Sequence, residues 1–272
     1  MLKTRVITAL VLLSVLLPVL FSGSYPVFAV ILAIFFAAAA WECFRLFNNK
    51  QPAIGAAIWT VVFGFILFQD DFSRASLLFI LSVAIWIIRL LPSLRIGLPA
   101  IDSFSSRLLN GIYGVAILGC FVAMAVLFKH SAIYLLSVMA IVWVADIGAY
   151  FFGKTFGKHK LAPTISPGKS WEGAFGGAIS VLLIGALSTF IPALSDSFAA
   201  NSFSRWGWAG LVLVLGLLVS ASVVGDLFES QLKRKAGVKD SSGLLPGHGG
   251  VLDRIDALIP VMPLAALLDS WL

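Results

Sequence analysis

Charge is scarce in this sequence: Asp, Glu, Lys and Arg make up 12% of it, where a soluble domain carries about 25%. With 60% of the residues hydrophobic, too little polar surface remains to cover a water-soluble fold, and that class is excluded. Cysteine is nearly absent. Cys43 stands beside the end of one apolar run and Cys120 inside another, so no disulfide framework is available. The three histidines, His130, His159 and His248, are scattered, and neither cysteine is near the polar loops, which excludes a His/Cys zinc cluster. Gly168-Lys169-Ser170 has the look of a phosphate-binding loop's end, but Pro163 stands where the first glycine should be and no βα unit surrounds it.

What is present is a series of apolar runs of bilayer length, near 6–21, 25–41, 53–69, 75–91, 111–128, 132–152, 172–193, 206–228 and 256–272. They predict an all-α polytopic membrane protein with nine transmembrane helices. The first run is read as a retained helix rather than a cleaved signal peptide, because eight further spans already commit the chain to the membrane. The third and fourth runs are separated only by a turn from Gln69 to Arg74. The net charge of +6 would suggest nucleic acid in a soluble protein. In a membrane protein it points to cytoplasmic loops, and no nucleic-acid partner is expected. Of the 19 Lys and Arg, only Arg74, Lys129 and Arg205 fall in the connections of one alternating set; the other sixteen fall in the opposite set. This asymmetry predicts an N-terminus inside, a C-terminus outside, and membrane lipids as surroundings. Residues 1–128 carry the N-terminal helices, and 129–272 carry the C-terminal helices with the long polar loops, within one membrane domain. No inverted repeat relates the halves.

The two longest polar connections, 153–171 and 229–255, both lie on the charged side and late in the chain, so chemistry is sought there. Gly173 and Gly177 form a G-x-x-x-G spacing that allows close helix contact. Asp146 lies within the sixth run, roughly 9 Å from its end at 1.5 Å per residue. An ionised Asp in a span costs about 2.5–3.5 kcal/mol, which either a neighbouring helix or a polar cavity must offset. Asp226, Ser230 and Lys233 follow one stripe at i, i+4 and i+7, suited to a metal-bound phosphate or to an ordinary solvated helix end. Asp253 and Asp256, spaced i, i+3, open the ninth helix after Lys239-Asp240 and a glycine-rich stretch containing His248. Acids in a first helical turn also complement the helix dipole. Mg²⁺ or Mn²⁺ takes one or two carboxylates and completes its shell with water and phosphate oxygens, a description that Asp226, Asp253 and Asp256 meet. Lys154, Lys158, His159 and Lys160 form a basic patch able to hold anionic headgroups or to guide an anionic lipid.

Residues 230–256, SQLKRKAGVKDSSGLLPGHGGVLDRID, resemble the signature of the phosphatidate cytidylyltransferase (CDP-diacylglycerol synthase) family, with Ser, Lys-Arg, Lys-Asp, Pro-x-His-Gly-Gly and Asp-Arg-x-Asp in its spacing. Upstream, Ser166-Pro167-Gly168-Lys169-Ser170-Trp171-Glu172-Gly173 is similar to the family's Ser-Pro-x-Lys-Thr-x-Glu-Gly element, and the 146–153 stretch looks related. The likeness covers roughly the last 130 residues, the first half matching only as apolar spans. It implies transfer of CMP from CTP to phosphatidic acid, giving CDP-diacylglycerol and pyrophosphate, in the cell membrane with the site on the cytoplasmic side. It further implies metal ligation by Asp226, Asp253 and Asp256, with a K⁺ companion to Mg²⁺ or Mn²⁺. Lys233, Arg234, Lys239, Asp240, His248 and Arg254 would then be catalytic. Asp146, Lys169, Ser170, Glu172 and Ser230 would bind substrate. A homo-oligomer is left open. The Asp-Gly-x-x-Ala-Arg pattern of the CDP-alcohol phosphotransferases is missing. An ion-coupled transporter, the alternative from another class, would carry its acids near the midplane rather than toward one leaflet.

Overall fold

The computed structural model of the protein describes residues 2–69, 72 and 75–271, with the side chains of residues 2, 3 and 5 outside the description. The side chains of Lys3 and Arg5, all of Arg74, most of the turn expected before it, and position 272 thus lie outside the description. Among the described residues six helical segments are long and apolar enough to cross a membrane. They are α2 (Tyr25–Leu46), α4 and α5 (Ala75–Ile85 and Leu91–Ile96, joined through a π-helical turn at Trp86–Leu90), α6 (Phe104–His130), α7 (Ala132–Phe156), α8 (Trp171–Ser188) and α9 (Phe198–Lys235). Three shorter apolar helical segments, Val6–Phe21 within α1 (Leu2–Phe21), α3 (Pro52–Leu67) and α11 (Leu258–Asp269), fall on the remaining expected runs.

Local chemistry sets the helix ends. Ser103, Ser131, Ser170 and Ser197 precede α6, α7, α8 and α9, and each side chain accepts a hydrogen bond from a backbone N–H of the first turn. Pro52 opens α3, where its missing N–H removes nothing. The eighth expected run begins at the kink of α9, where Gly207 leaves helical geometry at φ 63°.

The most buried span is α6, with 78% of its apolar window inside the protein against 28–50% for the other five, and it forms the axis of the bundle. Phe121 of α6 meets Phe36 of α2 edge-on at 5.3 Å, and Phe36 lies 4.4 Å from Phe63 of α3. Outward-facing Val61, Phe65, Ile88 and Leu213 are exposed, the surface that hydrocarbon rather than water accommodates. The G-x-x-x-G of α8 rests against α7: a Cβ at Gly173 would stand 2.9 Å from the Ala149 carbonyl oxygen. That contact sets Asp146 beside α8 and α9.

Loops expected on one face of the membrane gather at one end of the bundle. Asn48 reaches Asp102 at 3.4 Å, Gln231 donates to the Ser93 carbonyl at 3.0 Å, and Arg45 donates to the carbonyl of Ser241. At the opposite end, His130 pairs with Asp196 at 3.1 Å and Asp269 at 3.5 Å.

Two local expectations are corrected. The all-α chain carries one antiparallel hairpin, β1 (Lys160–Ala162) with β2 (Ser166–Ser170), because Pro163, Pro167 and Gly168 disfavour helix there. The ninth helix does not run on from Asp253. A short α10 (Leu252–Ile255) precedes a turn at Asp256 and Ala257, since Pro260 has no N–H to offer the Asp256 carbonyl. Gly225 packs against that carbonyl and the Pro260 ring, where any Cβ would collide.

Candidate active site

At the polar end, α7, β2, α8 and α9 enclose a cavity of about 380 Å³ lined by Asp146, Tyr150, Lys154, Lys169, Ser222 and Asp226. Strand β2 carries Lys169 across to α9, where its ammonium pairs with Asp226, each side chain 27% exposed. The other carboxylate oxygen of Asp226 accepts from Ser230 Oγ at 3.3 Å, so the i, i+4 part of the expected stripe is real. Its i+7 member is not on it. Lys233 turns instead to Glu229 at 2.9 Å and Asp253 at 2.6 Å.

Asp253 is occupied within the loop that precedes it. Its Oδ2 accepts from the Ser241 N–H at 2.7 Å, Ser241 Oγ at 2.8 Å and the Gly250 N–H at 2.8 Å, while Oδ1 accepts from Lys233. Burial would raise its carboxyl, but the hydrogen bonds from Lys233 and Gly250 outweigh burial and hold it below the usual carboxylate range. The tight path from 245 to 250 needs Gly249 at φ 85°, a conformation that favours glycine. Asp256, before the first turn of α11, accepts from the Ala257 N–H at 2.8 Å. It is partly buried, with the carboxylates of Asp226 and Glu229 as its charged neighbours.

The structure therefore brings Asp146, Lys169 and Asp226 into one cavity, with Asp256 beside Asp226, and engages Asp253 elsewhere. Among the described residues no group of three His, Cys, Asp or Glu side chains stands together as a metal site. Two expected substrate contacts have structural duties. Ser170 caps α8 through the Gly173 N–H at 3.1 Å. Glu172 accepts from the Lys158 N–H at 3.1 Å and from His159 Nδ1 at 2.6 Å, bracing the turn before β1. Arg254 folds back on the His248 carbonyl at 2.6 and 2.9 Å. Arg234 is exposed in the last turn of α9, and Lys239 and Asp240 are exposed on the loop that follows it.

Sequence reasoning passed over two buried acids. Glu229 is wholly buried against Lys233. Glu42 is wholly buried at the end of α2 and accepts from the Val251 N–H at 3.0 Å and the Leu252 N–H at 2.6 Å. The available signal for Glu42 was its setting, one carboxylate at the end of an apolar run with Trp41, Cys43 and Phe44 on either side.

A model of the cytidylyltransferase family matches residues 3–271. The chain is 38% identical to a phosphatidate cytidylyltransferase of Haemophilus influenzae over 286 residues, covering 97% of this chain and 96% of that protein. It is likewise 38% identical to one of Pseudomonas aeruginosa over 276 residues, covering 98% and 97%. A Staphylococcus aureus protein of the same name is 44% identical over 135 residues, 50% of this chain and 48% of its own length. The likeness thus extends beyond the last 130 residues into the first half, where the sequence motifs alone had shown only apolar spans.

Proposed function

The chain belongs to the cytidylyltransferase family, and from that premise we propose that the polar end of its bundle transfers CMP from CTP to phosphatidic acid, giving CDP-diacylglycerol and pyrophosphate. The observation that carries this reading is the Lys169–Asp226 pair, set in a cavity between spanning helices and next to an exposed basic loop. Phosphatidic acid keeps its acyl chains in the bilayer and its phosphate at headgroup level, whereas CTP is water-soluble, so the site must open to both. Lys154 and Lys169 supply the cavity with positive charge for the lipid phosphate. Arg234 and Lys239, exposed at the loop, meet the triphosphate. A phosphatidate oxygen attacks the α-phosphorus of CTP in line; that P–O bond forms as the bond to pyrophosphate breaks. No side chain has to form a covalent intermediate.

Asp226 and Asp256 are the residues that would hold a divalent cation. Oxygen donors alone, from two neighbouring carboxylates whose charges disfavour each other, suit Mg²⁺ or Mn²⁺. Bound there, the ion would neutralise charge building on the departing pyrophosphate. A K⁺ companion belongs to the same proposal. Asp253 and Lys233 act differently, holding the loop on which Arg254 and Asp256 follow.

Access to cytosolic CTP requires the polar end to face the cytoplasm of a cell membrane. The native cysteines are both buried, so single cysteines introduced elsewhere report cleanly. Cysteines at positions 48, 158 and 240 are expected to react with membrane-impermeant maleimide only from inside, and one at 195 only from outside. Labelling of position 240 from outside would overturn both the orientation and the route for CTP.

A further inference from the structure

Glu42 is remote from the cavity, yet it organises the loop next to it. Its Oε1 accepts from Ser242 Oγ and the Val251 N–H, and its Oε2 accepts from Ser241 Oγ at 3.1 Å and the Leu252 N–H. All four donors come from a segment about 200 residues later in the chain. One turn along α2, Arg45 donates to the Ser241 carbonyl, its guanidinium 5.2 Å from the Trp41 ring. Ser241 Oγ lies between two carboxylates, within reach of Glu42 and, at 2.8 Å, of Asp253. Gly250 wraps the pair so closely that any Cβ would strike Glu42 Oε1 and Ser241 Oγ.

A wholly buried carboxylate is costly unless its oxygens are fully engaged, and apolar side chains would tie α2 to this loop at less cost. What apolar packing lacks is direction. Four groups aimed at two oxygens, one of them the Ser241 hydroxyl whose single proton Glu42 shares with the closer Asp253, fix the register of residues 241–252, and with it the start of α10 that presents Asp253 to Lys233. We propose that Glu42 is a positioning residue for the nucleotide: it locks the 241–252 segment so that the cations on either side, Lys239 and Arg254, are held for the triphosphate. This rests on the reading above that CTP is received at this loop.

The test is Glu42→Gln in the purified full-length chain, with KM measured separately for CTP and phosphatidate. The amide keeps the size of the acid but turns one acceptor into a donor. Each oxygen faces a backbone N–H that cannot rotate away, so either amide orientation sets donor against donor. The expected result is a KM for CTP raised about tenfold or more, the scale of leaving a buried donor unsatisfied, with KM for phosphatidate within about twofold. The melting-temperature rise produced by CTP with Mg²⁺ should shrink in parallel. A uniformly destabilised but correctly arranged site would move neither ratio. If Glu42→Gln does not accumulate, Ser242→Ala decides, because it removes one donor and leaves the carboxylate; the same split at smaller size is expected. Unchanged values for both substrates in a folded variant would overturn the proposal. A rise for phosphatidate alone would overturn the assignment of this loop to CTP, while leaving the wider reading of the cavity intact.

Discussion

Asp226→Asn is expected to lower kcat by about 100-fold or more while leaving thermal stability almost unchanged, because the residue's charge serves the reaction and not the fold. The stability half of the expectation follows from exposure. Asp226 and Lys169 are each 27% exposed, and an ion pair so open to solvent contributes on the order of 1 kcal/mol or less. The kinetic half follows from charge. Transfer to CTP builds negative charge on pyrophosphate, and an interaction that stabilises it only in the transition state lowers kcat and kcat/KM together when removed. Several kcal/mol at 1.36 kcal/mol per tenfold gives about two orders of magnitude or more. Turnover of the purified variant across a Mg²⁺ titration, with its melting temperature beside it, checks both halves. Near-normal turnover at low Mg²⁺ would remove Asp226 from the site.

Asp253→Asn is expected to do the opposite in one respect: activity and stability should fall together. Its carboxylate is 4% exposed, its partner Lys233 is 13% exposed, and Glu229, the second carboxylate on Lys233, is 0% exposed. Removing one member of a buried pair costs about 3–5 kcal/mol, and because Lys233 keeps Glu229 the lower end applies, about 3 kcal/mol. At roughly 2–4 °C per kcal/mol for a chain of this size, the melting temperature should drop by roughly 6–12 °C. The pH dependence has a definite sign. A carboxyl held below its ordinary value contributes fully above the unfolded pKa of about 3.9 and loses that contribution as the pH falls through the lower folded value. The gap between wild type and variant should therefore be widest near neutrality and close in acid. A variant with wild-type melting behaviour but no activity would instead restore Asp253 as a metal ligand.

The apolar helices were legible in the sequence because a bilayer imposes one composition on whatever it embeds, though six of the helical segments among the described residues, and not nine, are long and apolar enough to cross it. The site was legible only in part. Asp146 stood out as a charge inside an apolar run, Asp226 as one near the end of another and Lys169 only through the family resemblance, and the structure gathers them. The i, i+3 spacing of Asp253 and Asp256 carried no information about Lys233, which reaches Asp253 from another helix and leaves Asp256 between Glu229 and Asp226. Ser170 and Glu172 sat in a motif whose polar atoms turn inward to cap α8 and brace a turn, and local sequence does not say which way a hydroxyl or carboxylate points. Glu42 was hidden for a different reason. Its donors lie about 200 residues away, so nothing near it in sequence announces them.

Metal-assisted cytidylyl transfer at Asp226 is tested most directly by following labelled CTP in phosphatidate vesicles containing the purified protein, with Mg²⁺ and with excess chelator. The account predicts CDP-diacylglycerol and pyrophosphate in equal amounts only when both substrates and a divalent cation are present, with chelation abolishing turnover and Mg²⁺ or Mn²⁺ restoring it. Full turnover in excess chelator would contradict the metal role of Asp226 and Asp256, and ion movement across the vesicles without any CDP-diacylglycerol would contradict the claim as a whole.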